Sequence, residues 1–159
     1  MPEPHVIRLR GPWDYEPLVR VFCAADGSRR EVADGLPPPG RVHLPADWGS
    51  TVGFDFRGRV RYLRRFGLPT NLDSSQRVWL VIEGVDYFGV ATLNGTRLGE
   101  LVGYAAVAEF DIGFLLTERN LLALEVELPA YEVGPGPQRP GRETLPGGPI
   151  GEVRLEIRS

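Results

Sequence analysis

The chain has no lysine; all 18 of its basic residues are arginine. It holds one cysteine, Cys23, one methionine, and two histidines, His5 and His43. A single cysteine excludes an internal disulfide, so nothing in the thiol content points to an oxidising compartment. Two distant histidines and one cysteine match neither metal-ligand spacing nor a nucleophile–base arrangement. Cys23 sits in a strand-like run, where a buried structural thiol is the expectation. No apolar run approaches the ~20 residues of a membrane helix. The first ten residues, MPEPHVIRLR, lack the apolar core of a secretion signal, so the expected location is cytoplasmic. A net charge of −3 argues against an electrostatic nucleic-acid binder. Repeats, heptads, long amphipathic helices and a phosphate loop are all missing; Gly147-Gly148 reads as a turn.

What is present fits one domain spanning residues 1–159. Hydrophobic residues make up 42% and charged ones 25%, as in ordinary globular proteins. A chain of this length buries roughly 70% of its unfolded surface. The dominant pattern has period two. Val78, Leu80 and Ile82 alternate with Trp79, Val81 and Glu83, which predicts a strand, and Tyr87 to Leu93 predicts another. Asn94-Gly95 follows, supplying the two positive-φ positions of a type I′ turn before Thr96-Arg97-Leu98. Further strands are predicted over His5 to Leu9, Leu18 to Phe22, Gly58 to Pro69, Gly103 to Asp111, Leu122 to Leu128 and Val153 to Ile157. Asp26-Gly27 and Asn71 to Gln76 read as turns. Leu115 to Arg119 reads as one helical turn ended by Asn120, a residue that tolerates the left-handed conformation. The Pro- and Gly-rich stretches 33–40 and 129–148 read as irregular connections.

Several phrases, in order, resemble the sugar-binding domain of family 2 glycoside hydrolases, the β-galactosidase, β-glucuronidase and β-mannosidase group. They are Leu9 to Tyr15 with Trp13, Pro45-Ala46-Asp47-Trp48, Gly58 to Pro69, Glu83 to Asp86 followed by Leu93-Asn94-Gly95, Phe110-Asp111-Ile112, Asn120 to Val126, and Gly147 to Ile157. The resemblance implies an all-β fold: a single jelly-roll β-sandwich of the galactose-binding-like type. In those enzymes the domain precedes an immunoglobulin-like domain and a catalytic barrel, and the catalytic carboxylates stand on the barrel. Here Glu125 and Glu127 share a strand face about 7 Å apart, which reads as a solvated outer face rather than a glycosidase pair. The expected activity is therefore non-catalytic.

Carbohydrate binding is the function the resemblance implies. It calls for an aromatic face against the apolar side of a pyranose and polar groups for its hydroxyls. The family lends such residues from two loops, which correspond here to Gly49 to Arg59 and to the stretch before Gly147-Gly148. The second loop reads Arg142-Glu143-Thr144-Leu145-Pro146 where the family often shows Asp-x-Trp-Arg. The candidate saccharide contacts are Trp48, Asp55, Arg57, Tyr104, Arg142 and Glu143, with Tyr104 at the rim or in the core. Trp13, Trp79 and Phe66 are expected in the core. Sandwiches of this type sometimes carry a structural calcium, but no Asp-rich loop indicates one, and no cofactor is expected. The alternative role is docking: a surface for a protein partner, an accessory subunit or a second copy. Asn94-Gly95-Thr96 is formally a glycosylation acceptor, although the turn accounts for it. Arg57, Arg59, Arg61, Arg64 and Arg65 form a basic run, expected to be a solvated face paired with glutamates.

Overall fold

The computed structural model describes residues 5–133 and 145–159. Two sheets face each other. The smaller contains β1 (His5–Arg8), β12 (Val153–Arg158), β6 (Arg77–Ile82) and β9 (Ala108–Asp111), side by side in that order and all antiparallel. The larger runs β11 (Ala130–Tyr131), β2 (Trp13–Cys23), β5 (Gly58–Gly67), β10 (Arg119–Leu128), β7 (Phe88–Leu93), β8 (Thr96–Val102). Two short strands, β3 (Arg29–Val32) and β4 (Gly40–Val42), add to β2. Among the described residues every strand pairing is antiparallel except that of β11 with β2. The fold is an all-β sandwich of the expected class.

The alternation in the sequence explains where the core lies. Leu122, Leu124, Val126 and Leu128 of β10 are wholly buried, as are Val60 of β5 and Ala91 and Leu93 of β7. Val78, Leu80 and Ile82 of β6 and Val153 and Leu155 of β12 pack against them from the other sheet. Each such side chain contributes about 1.5–3 kcal/mol of burial, so β10 alone anchors the larger sheet through four of them. Asn94 and Gly95 have φ of 51° and 83°, the double positive-φ turn that the sequence predicts. The 33–39 stretch is irregular, with Gly40 already in β4.

Five expectations are corrected. The strand predicted over Gly103 to Asp111 begins only at Ala108; Gly103, at φ 87°, breaks the chain direction, and β8 instead runs on to Val102. The helical turn lies at Gly113–Leu115, two residues early. Asn120 is a buried strand residue, not a left-handed cap. Its side chain accepts from the Thr117 and Asn94 amides and donates to the carbonyls of Thr117 and Phe66. Cys23 is only half-buried, at the end of β2 beyond a register shift between Pro17 and Val19. Trp79 lies on the outer face of β6 with the Arg158 guanidinium 4.8 Å above its ring, whereas Trp13 is in the core as expected, donating to the Leu9 carbonyl at 2.7 Å.

The outer face of the larger sheet is a network of paired charges. Glu127 is not solvated: it is 8% exposed and accepts from both Arg29 and Arg59. Glu125 is the outward, more exposed member, 3.5 Å from Arg59. Hydrogen bonds donated to Glu127, opposed in part by burial, hold Arg29 firmly cationic.

Candidate functional site at the loop end

Four connections meet at one end of the sandwich. The stretch 145–149 runs between the 46–48 segment and the β6–β7 connection. Trp48 N–H donates to the Gly147 carbonyl (2.9 Å) and Ala46 N–H to that of Pro149 (3.1 Å). On the other side Asp86 and Gly148 exchange both backbone bonds, at 2.9 and 3.0 Å. Val85 N–H donates to Gly103, and Gly103 N–H to Tyr87, which brings in the β8–β9 loop. Glycine is required where the chain threads this gap: a Cβ on Gly147 would stand 2.8 Å from the Asp86 oxygen and 3.0 Å from the Trp48 ring. The result is a floor made mostly of tied backbone.

Trp48, the principal aromatic candidate, lies inside the core and not on this floor. It has no exposed surface, its ring meets Phe56 edge-on at 5.2 Å, and its indole N–H donates to the Tyr62 hydroxyl at 2.9 Å. Both the faces and the polar edge are used, so Trp48 offers no platform to a sugar. That assignment is corrected. Burial drives the Tyr62 hydroxyl well above the ordinary phenol range, although the Trp48 bond pulls the other way. Asp47 caps the short 3-10 turn Trp48–Ser50 by accepting from Gly49 N–H at 2.8 Å.

The other candidates divide. Arg57 straps the two loops together, donating to the carbonyls of Phe54 (3.3 Å), Phe56 (2.9 Å) and Leu145 (3.3 Å). Asp55 is exposed beside it. Tyr104 is 39% exposed on the loop whose backbone lies against Gly84. Arg142 and Glu143 fall outside the described residues. Phe54, 51% exposed, is the surface aromatic that sequence reading passed over. Phe54 and Phe56 look equivalent in the sequence; the turn after Gly53, at φ 117°, sends Phe56 inward and leaves Phe54 outside. Asp86 is wholly buried beneath the floor. No group of three His, Cys, Asp or Glu side chains among the described residues is placed to hold a metal ion.

The architecture is therefore that of a β-sandwich domain with a loop-borne surface at one end. No family model matches the sequence, and no curated protein matches it. Solved structures do. An FMN-binding β-glucuronidase from Faecalibacterium prausnitzii L2-6 is 23% identical with a TM-score of 0.70, over 98% of this chain and 22% of that one. A Bifidobacterium dentium β-glucuronidase in complex with coumarin-3-O-glucuronide is 22% identical with a TM-score of 0.69, over 99% and 30%. A β-glucuronidase from glycoside hydrolase family 2 is 18% identical with a TM-score of 0.69, over 99% and 18%. The chain has the fold of one domain of these enzymes and spans less than a third of their length.

Proposed function

We propose that this chain is a non-catalytic domain of the family 2 glycoside hydrolase type, and that its loop end supplies one wall of a saccharide site. The observation that supports this most is the convergence of four loops on a rigid floor that leaves Phe54, Asp55 and Tyr104 exposed. Aromatic rings cover the apolar side of a pyranose, and a carboxylate accepts from its hydroxyls. With Trp48 committed to the core, the surface is open on one side. Affinity for a free sugar is then weak, about 1 mM or some −4 kcal/mol, and a complete site needs a second wall, which a catalytic domain would provide.

Backbone NMR of the protein titrated with glucuronic acid, galactose and mannose tests the reading. Saturable shifts at residues 53–57 and 103–105 are expected, weakened several-fold by Tyr104→Ala or Asp55→Asn. No localised shift with any of the sugars in the tens of millimolar would sink it. A docking surface is the second reading, favoured by Val102 and Val107, 61% and 57% exposed, on either side of Tyr104. Self-association in sedimentation experiments, with no sugar response, would put it first.

A further inference from the structure

The basic run in β5 divides sharply once partners are assigned. Arg59 pairs with Glu31, Glu125 and Glu127, and Arg61 with Glu16. Arg57 and Arg64 donate to backbone carbonyls. Arg65 has neither kind of partner: it is exposed, and its guanidinium makes no hydrogen bond or ion pair among the described residues. On the neighbouring strand the same holds for Arg119. The register places Arg65 opposite Leu121 and Arg119 opposite Gly67. The two arginines are thus diagonal neighbours on one face, with Cβ atoms roughly 7 Å apart, a separation long side chains span easily.

Between them lies a groove of about 420 Å³ lined by Arg65, Phe66, Asn94, Arg119 and Asn120 among others. Its amides are already fixed. Asn94 donates to Asn120 (2.9 Å) and to the Leu115 carbonyl (3.0 Å), and accepts from Leu121 N–H (2.8 Å). They form a rigid wall and take none of the arginines' donors. Two planar cations with ten N–H donors between them therefore flank a concavity, and among the described residues no carboxylate pairs with either.

We propose that this groove binds an oxyanion, held by Arg65 and Arg119 together. The shared chemistry is a planar or tetrahedral group accepting forked N–H bonds, carried either by a phosphate or sulfate or by the carboxylate of a sugar acid. The groove lies at the Asn94-Gly95 end of β5 and β10, away from the four loops described above, so it stands or falls independently of the saccharide surface.

Arginine side-chain NMR on the full chain at low ionic strength is the test, with sodium phosphate, sodium sulfate and sodium glucuronate as probes. Saturable movement of the Arg65 and Arg119 Nε–Hε signals is expected, with binding weakened about tenfold by either Arg65→Gln or Arg119→Gln. Both sites are exposed, so an unchanged thermal midpoint will show that the variants remain folded. Arg41→Gln, which removes an exposed arginine paired with Asp14, should leave binding intact. Stronger binding of phosphate and sulfate identifies a tetrahedral group as the ligand; stronger binding of glucuronate identifies a sugar acid. Absence of saturation with all three probes, or equal weakening by Arg41→Gln, overturns the proposal.

Discussion

Tyr62 and Trp48 form a polar contact deep in an apolar core, where desolvation makes each unpaired group expensive. Tyr62 is 1% exposed and Trp48 wholly buried, and the indole N–H has the Tyr62 oxygen as its acceptor. Tyr62→Phe keeps the ring and removes only that acceptor, leaving a buried donor unsatisfied. A loss of about 1–3 kcal/mol is expected, read as a lower urea midpoint with an unchanged slope. A variant as stable as the parent would mean that the bond has no energetic weight. The pair also explains why the aromatic of the Pro-Ala-Asp-Trp phrase is structural in this chain: it props the first turn of the loop end from beneath.

Among the elements, the approach to β12 is the most tightly constrained. Gly151 lies so close to the β6–β7 connection that a Cβ there would stand 1.7 Å from the Glu83 carbonyl oxygen and 2.2 Å from its carbon. Both contacts are backbone and cannot swing away. Gly151→Ala must therefore push the connection off the sheet, disturbing the Glu83–Glu152 and Gly151–Gly84 hydrogen bonds. A cost of about 3 kcal/mol or more is expected, seen as a fall in thermal midpoint of roughly 6 °C or more. By contrast Gly95, whose added Cβ would meet nothing, is held by its positive φ alone, and there the penalty is conformational.

At the scale of the whole molecule, arginine–carboxylate networks cover both outer faces. Glu31 has its carboxyl held below the usual range, chiefly by the Arg59 hydrogen bond. For Glu156 burial pushes the carboxyl up, but hydrogen bonds from Arg158 and Arg154 outweigh it and the net shift is downward. Carboxylates with lowered folded-state values add stability that is complete above their ordinary value of 4.5 and is lost as pH falls through the lowered one. The thermal midpoint should therefore be flat from about pH 8 to 6 and fall progressively below about 4.5. A midpoint that rises on acidification would contradict this assignment. Exposed members such as Arg41–Asp14 contribute little, so salt at neutral pH should lower the midpoint only modestly.

Much of the architecture is legible in the sequence because a strand exposes its face pattern directly. Leu122, Leu124, Val126 and Leu128, or Val78, Leu80 and Ile82, cannot alternate as they do without a half-buried sheet, and Asn94-Gly95 sets its hairpin by backbone conformation alone. Period two states which residues share a face; it does not state which face is inside. For that reason Trp79, expected in the core, lies on the outer surface under Arg158, while Trp48, in a turn that carries no such period, fills the core. The Pro17–Val19 shift reverses faces within one strand, and the turn after Gly53 separates Phe54 from Phe56. The partners of the charges are likewise set by register between strands distant in the chain. Glu127 meets Arg29 across 98 residues, while Arg65 and Arg119 become diagonal neighbours with no carboxylate partner among the described residues. Local alternation thus determined the sandwich, and only long-range pairing decided which aromatics and which arginines it leaves exposed.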